Sequence, residues 1–239
     1  MAGAPAARRE IVEVCRRLYE RGLIAGPDGN VSVRVAPARV LVTPAGLSKV
    51  DVRPGDLVEV DLDGKKLRGT HRPSSELGMH LRIYRRRPDV RAVVHAHPPA
   101  ATACAVAGLG VAADVLPELI LQLGEVPLVP YATPGTEAVA DGLEPFLERH
   151  DAFLMANHGA TTTGPTLRLA HQRMESLEHA ARIVLAARLL GRVHTLTAAE
   201  VAVLDAAREG AREAARAARD EARRGATRTG RGASRRGAR

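Results

Sequence analysis

The chain has no tryptophan and few other aromatic residues: two Phe and three Tyr make up only 2% of its 239 residues. A core without large rings must be built from Ala, Val, Leu and Ile, and a surface that stacks nucleic-acid bases on aromatic platforms is excluded as the main function. Cysteine is equally scarce. Cys15 and Cys104 are too few for a disulfide framework, and each lies in apolar or helical text where a buried, reduced thiol is expected. No stretch approaches the ~18 uninterrupted apolar residues of a membrane span, and the N-terminal segment lacks the apolar run of a secretory signal. Ile11, Val12, Cys15, Leu18 and Leu23 instead follow helical spacing among Glu10, Glu13 and Glu20, as an amphipathic first helix does. These absences predict a cytoplasmic protein with no membrane partner.

A hydrophobic share of 45% and a length of 239 residues suit a well-cored globular chain. The net charge of +8 would suggest a polyanion partner if it were spread over the surface, but it is concentrated at one end. Residues 206–239 hold eleven Arg against four acids, leaving 24 basic and 23 acidic residues before them. Arg interleaved with Ala and acids reads as a solvated helix rather than a nucleic-acid site, and from Gly225 the Gly, Thr, Ser and Arg composition predicts disorder. The chain is therefore divided into a body, residues 1–205, and an Arg/Ala-rich extension, residues 206–239, partly helical and then disordered.

Within the body, a breaker-rich loop, residues 22–30, feeds an alternating strand at 31–35. A second strand is expected at 40–43, and a hairpin over 57–67 turning at Asp63-Gly64. Pro73-Ser74-Ser75 opens a helix to about Arg85 with Ser74 or Ser75 as N-cap. A strand at 92–97, a short Ala-rich helix after Pro98, a Leu/Ile segment from Leu116, a strand at 126–129, a helix at 136–149 and a strand at 153–157 follow. A long helix over 166–190 closes at Gly191, and Thr197-Ala-Ala-Glu200 is a capping box for a last helix that loses its large apolar residues after Leu204. The pattern implies an α/β fold with a mixed sheet flanked by helices in one domain.

The chemistry concentrates on histidine. His95 and His97 lie two apart in a strand, so both rings project to one side, roughly 7 Å apart at Cα. Such a pair fits either a metal or a simple cross-strand contact, but two polar rings at the end of an apolar strand need a partner. His158 ends a second apolar strand in Asn157-His158-Gly159, and three neutral imidazoles on rigid strands suit Zn²⁺ with a position left for substrate. His71, His80, His150, His171, His179 and His194 read as surface or capping residues, and Glu178 with His179 as candidates only for a supporting contact. The helix start at Ser74-Ser75 offers hydroxyls and free N–H groups to an anion such as phosphate, with Gly29-Asn30 as a second polar loop. Glu76 there also suits the helix macrodipole.

Gly29-Asn30-Val-Ser32, Thr43-Pro-x-Gly46, Pro73-Ser-Ser-Glu76, His95-x-His97-Pro and Asn157-His-Gly159 occur in the order and at the approximate spacing of class II aldolase/adducin proteins. Over roughly residues 5–205 the chain resembles that family, closest to L-fuculose-phosphate aldolase-like enzymes. The resemblance implies a three-layer α/β/α fold around a mostly antiparallel sheet. It implies Zn²⁺, with Mn²⁺ or Co²⁺ as substitutes, on His95, His97 and His158, with Glu76 as fourth ligand and acid/base. Gly29, Asn30, Gly46, Ser74 and Ser75 match the phosphate-binding positions. Ala45 departs from the pattern, standing where the fuculose-phosphate aldolases have a hydroxyl residue. Glu118 aligns approximately with the aldolases' proton-donating tyrosine, or is a solvated carboxylate at a helix start.

The implied activity is metal-dependent cleavage of a ketose 1-phosphate to dihydroxyacetone phosphate and an aldehyde by a homotetramer with sites between subunits. Dehydration of methylthioribulose 1-phosphate, decarboxylation of a phosphorylated keto acid, and a non-catalytic adducin-like scaffold are the alternatives.

Overall fold

Eight strands form one sheet in a computed structural model that describes residues 4–111 and 113–233. The strands are β1 (Asn30–Ala36), β2 (Arg39–Val42), β3 (Val58–Val60), β4 (Lys66–Arg68), β5 (Ala92–Ala96), β6 (Leu128–Val129), β7 (Ala152–Met155) and β8 (Gly159–Gly164). Their order is β4-β3-β2-β1-β5-β8-β7-β6, and every pairing is antiparallel except β6 with β7. The helices are α1 (Ala4–Glu20), α2 (Leu77–Arg86), α3 (Pro99–Val106), α4 (Pro117–Gln122), α5 (Glu137–Leu143), α6 (Leu167–Leu189) and α7 (Ala198–Ala233).

Strand alternation sorts the core into two layers. Ala92, Val94 and Ala96 of β5, with Val31, Val33, Ala152 and Leu154, pack against α1, α3 and α6. Val93, Phe153 and Met155 face the opposite layer with α2 and α5, through Leu77, Leu81, Tyr84, Val139 and Leu143. Helices therefore cover both faces, the three-layer arrangement expected from the resemblance. His95 has the parity of Val93. Asn30 lies opposite His95 and Ser32 opposite Val93 in the β1–β5 register, so His95, Asn30 and Ser32 all project toward the α2 layer.

Several local expectations change. The β3–β4 connection is longer than a two-residue turn at Asp63-Gly64, because Asp61 Oδ1 accepts from the N–H groups of Asp63 and Lys65 and closes a wider loop. The strand expected at 126–129 is only Leu128–Val129, with Val126 bridging Val111. The helix expected at 136–149 gives way after Leu143 to a 3₁₀ turn, Glu144–Phe146, since Pro145 has no N–H to continue the ladder. Glu76, rather than Ser74 or Ser75, is the N-cap residue of α2. Ser74 Oγ instead accepts the Glu76 N–H. The Thr-rich strand β8 was not expected. Its hydroxyls are satisfied by internal hydrogen bonds, as with Thr162 Oγ1 donating 2.7 Å to the Ala170 carbonyl.

The C-terminal helix also differs. α7 begins at the expected capping box, where Thr197 N–H donates to Glu200 Oε2 and Glu200 N–H to Thr197 Oγ1, and it runs past Gly225 to Ala233. Ala and Arg are strong helix formers, and each glycine costs only ~1 kcal/mol against that tendency. The remainder of the expected disordered tail, residues 234–239, lies outside the described residues. Beyond Leu204, α7 docks through arginines: Arg208 lies against Gly124 and Arg212 pairs with Asp151. Among the described residues no helix is long and apolar enough to cross a membrane.

Candidate metal centre

The C-terminal end of β5, the turn before β8 and the N-terminus of α2 meet at one point. His95 is fully buried, and its Nδ1 lies 3.0 Å from the Ala160 carbonyl. A carbonyl only accepts, so Nδ1 carries the proton and Nε2 presents a lone pair. That Nε2 stands 3.1 Å from Nε2 of His97 and 3.1 Å from Oε2 of Glu76. Glu76 Oε1 is 3.3 Å from Nε2 of His158.

Acceptors thus converge on acceptors. Such an arrangement is repulsive unless a cation or a proton lies between them. The separations match the edge, roughly 3.3 Å, of a tetrahedron of N and O ligands at zinc distances. Among the described residues His95, His97 and His158 form a set whose ligand atoms all lie within 4.8 Å of one another. The donor set therefore fits a divalent metal, as expected for these three histidines, and Glu76 sits where a fourth ligand would.

Electrostatics agree with that use. Burial, reinforced by His95, pushes the His158 imidazole down to about 4 and lowers His97 as well, keeping both rings neutral and able to ligate at neutral pH. Burial raises the Glu76 carboxyl, but positive charge at the His95 position, then at His158, with the hydrogen bond from Asn30, outweighs it and holds Glu76 well below the usual carboxylate range. With both imidazoles neutral, that positive charge is the part a metal ion would take.

Local sequence explains the placement. Asn157 has φ 56°, a left-handed conformation that Asn tolerates, and it turns His158 back toward β5. A Cβ at Gly159 would stand 2.5 Å from His97 Cδ2 and 2.6 Å from the Ala96 carbonyl, so only glycine allows β8 to start against that ring. Gly29 has φ +71°, and a Cβ there would meet the His95 carbonyl at 2.8 Å. Asn30 then donates through Nδ2 to Glu76 Oε2 at 2.8 Å.

The expected anion loops gather at the same end. Ser74 N–H donates to the Thr43 carbonyl and Ala45 N–H to the Arg72 carbonyl, which sets Gly46 beside Ser74 and Ser75. Ser75 and Gly46 are exposed, and a cavity of about 190 Å³ lined by Ser75, Glu76, Met79, Gly135 and Thr136 opens next to the carboxylate. A cavity of about 170 Å³ at the other end of the sheet, lined by Arg87, Asp151, Arg173 and Arg212, has no such ligand set. Glu118 is not brought to the cluster. It is exposed in the first turn of α4.

His80, Lys49 and His171 escape a reading of the sequence alone, whereas Glu178 was a candidate for a supporting contact. His80, expected at the surface, is fully buried, with Nδ1 2.6 Å from Ser32 Oγ, which also meets Tyr84 Oη at 2.8 Å. Its i+4 spacing from Glu76 on the apolar face of α2 was the available signal. Glu178, on α6, accepts the N–H groups of Ala100 and Ala101 at the start of α3. Lys49 is buried although nothing in its surrounding text marks it as such. His171 is likewise buried rather than at the surface.

Comparison with known proteins gives a consistent picture. Residues 9–185 match the family described as "Class II Aldolase and Adducin N-terminal domain". The chain is 35% identical over 204 residues to the 3-oxo-tetronate 4-phosphate decarboxylase of Pectobacterium atrosepticum, covering 83% of this chain and 92% of that protein. It is 36% identical over 187 residues to the 5-deoxy-D-ribulose 1-phosphate aldolase of Bacillus thuringiensis serovar kurstaki, covering 77% and 86%. Among solved structures it resembles L-fuculose-1-phosphate aldolase from Thermus thermophilus with TM-score 0.68 and 32% identity, covering 77% of this chain and 95% of that one.

Proposed function

The chain belongs to the class II aldolase and adducin family, and from that premise we propose that it is a divalent-metal-dependent carbon–carbon lyase releasing dihydroxyacetone phosphate from a larger phosphorylated substrate. The observation that carries this reading is the convergence of three imidazole lone pairs and the Glu76 carboxylate beside loops suited to phosphate. An imidazole set suits Zn²⁺, and also Mn²⁺ or Co²⁺.

Two of the reactions named for its relatives share this chemistry. Decarboxylation of a 3-oxo-tetronate 4-phosphate and retro-aldol cleavage of a ketose 1-phosphate both break the bond between the carbons α and β to a ketone, and both leave dihydroxyacetone phosphate by way of its enediolate. Only the departing fragment differs, carbon dioxide in one case and an aldehyde in the other. A divalent ion held by this set supplies Lewis-acid stabilisation of the negative charge that develops on the carbonyl oxygen. The turns at Gly29 and Gly46 and the hydroxyls of Ser74 and Ser75 hold the phosphate, and the side chain of Asn30 holds Glu76. Glu76 takes the hydroxyl proton in retro-aldol cleavage, and in either reaction it delivers a proton to the carbon left by the departing fragment.

Decarboxylation stands first, because the 3-oxo-tetronate 4-phosphate decarboxylase relative is matched over 92% of its length. Aldol cleavage stands second, supported by the aldolase relative at 36% identity. The family resemblance is the basis for a homotetramer with sites between subunits; the exposed Glu118, remote from its own chain's histidine cluster, has a role in catalysis only if it serves a neighbouring subunit's site. Retention of the whole donor set counts against an adducin-like scaffold.

The test is a panel of 3-oxo sugar acid 4-phosphates, ketose 1-phosphates and methylthioribulose 1-phosphate, with coupled detection of dihydroxyacetone phosphate and separate detection of carbon dioxide and aldehyde. Release of dihydroxyacetone phosphate from the first class, with carbon dioxide, is expected. Loss of water alone from methylthioribulose 1-phosphate would replace the reading with a dehydratase.

A further inference from the structure

The charges buried near the site do not balance. Lys49 is only 2% exposed, an uncommon state for an ammonium group. Its Nζ donates to the Pro27 carbonyl at 2.7 Å and the Leu47 carbonyl at 3.1 Å, while its N–H donates to the Gly26 carbonyl at 3.4 Å. These carbonyls belong to the two turns that contain Gly29 and Gly46. The side chain therefore ties together both halves of the anion cradle from beneath.

Among the described residues no carboxylate stands within ion-pair distance of Nζ. Burial disfavours the ammonium, and the acidic groups that favour it are Cys15 and then Asp28. The Cys15 thiol is itself pushed up to about 12 by burial and carries no charge at neutral pH, and the Asp28 carboxylate is half exposed and turned toward Nδ1 of His97, 3.5 Å away. Carbonyl dipoles solvate an ammonium without neutralising it, and buried charges are otherwise paired. A neutral side chain of similar length would avoid this desolvation cost but would leave the Pro27 and Leu47 carbonyls without their donor.

We propose that Lys49 is the fixed counter-charge of the substrate's phosphate, so that the cradle is completed as an ion arrangement only when the dianion arrives. This rests on the reading of the Gly29, Gly46 and Ser74–Ser75 segments as the phosphate site. It supplies from below the attraction that Ala45, lacking a hydroxyl, does not supply from the rim, and it makes the site select phosphorylated over uncharged substrates.

The chain has three lysines, Lys49, Lys65 and Lys66, and the latter two are exposed at the start of β4. Metal-loaded full-length protein labelled with ¹³Cε-lysine thus gives one reporter and two internal controls, assigned through Lys65→Arg and Lys66→Arg. Titrating inorganic phosphate should move the Lys49 signal and leave the others in place. Lys49→Met should weaken phosphate binding roughly tenfold or more, with metal uptake unchanged and partial recovery in Lys49→Arg.

A Lys49 signal that stays fixed while phosphate binds, or a Lys49→Met protein that binds phosphate as tightly as the unsubstituted chain, would overturn the proposal and leave the phosphate cradle standing. Failure of the unsubstituted, metal-loaded protein to bind phosphate would remove the cradle and the proposal together. If Lys49→Met does not fold, the labelled unsubstituted protein still decides.

Discussion

Replacing Glu178 by Ala removes a buried carboxylate that holds the segment next to a metal ligand. Glu178 is 3% exposed. Its Oε2 accepts from Ala100 N–H and Ala101 N–H, each at 2.9 Å, and its Oε1 from Arg182 Nε at 2.7 Å. The two amides are first-turn donors of α3, which have no partner within their own helix, and α3 begins two residues after His97. Stranding a buried donor costs ~1–3 kcal/mol, so two should cost about 4 kcal/mol. That lies within a typical stability of ~5–15 kcal/mol and corresponds to a fall in melting temperature of roughly 8–16 °C for a domain of this size. Because the strain is released beside His97, metal affinity should fall by ~10–100-fold, as for other residues that orient ligands. Urea denaturation and competition with a chromogenic chelator measure the two effects. Val60→Ala in the far half of the sheet is the control, since it should lower stability and spare metal affinity. A Glu178→Ala protein that is destabilised yet binds metal like the unsubstituted chain would refute the link between this cap and the metal centre.

Gly159→Ala should abolish tight metal binding while leaving most secondary structure in place, because the new methyl would stand 2.5 Å from the His97 ring; calorimetric zinc titration and circular dichroism check this. Metal-free protein should lose stability as pH falls from 7 to 5, measured by urea midpoints. Burial depresses His80 to about 3 and His158 to about 4, so between the folded values and ~6.5 the unfolded chain binds more protons and is favoured as pH drops. A flat profile would contradict this. Asp151→Asn should cost ~3–5 kcal/mol, since it weakens the buried partner of Arg87, Arg173 and Arg212, and should make α7 more susceptible to limited proteolysis.

The histidine cluster was legible in the sequence because strand alternation puts His95 and His97 on one side, and His158 was read at the end of a second apolar strand; it lies in the turn between β7 and β8. The helix-flanked mixed sheet followed from the succession of strand and helix patterns, and its three layers from the family resemblance. Buried polar residues were not legible, because their partners are remote in the chain. Thr161 and Thr163 look like loop text until His95 Nδ1 is seen to donate to the Thr161 hydroxyl and Asp151 to accept from that of Thr163. Lys49 looks like a surface lysine until the Pro27 and Leu47 carbonyls surround it, and His80 like a helical surface residue until Ser32 meets it. Helix limits failed where tertiary geometry displaced a local signal, as when Glu76 took the N-cap position of α2 with its side chain turned to His95 and His158.

Stoichiometric metal binding tests the central claim most directly. Chelator-stripped protein titrated with Zn²⁺ and analysed by mass spectrometry should take up one ion per chain and regain lyase activity in proportion, whereas His95→Ala should do neither. Activity that persists in the stripped protein, or zinc uptake undiminished by His95→Ala, would contradict a metal centre at His95, His97 and His158.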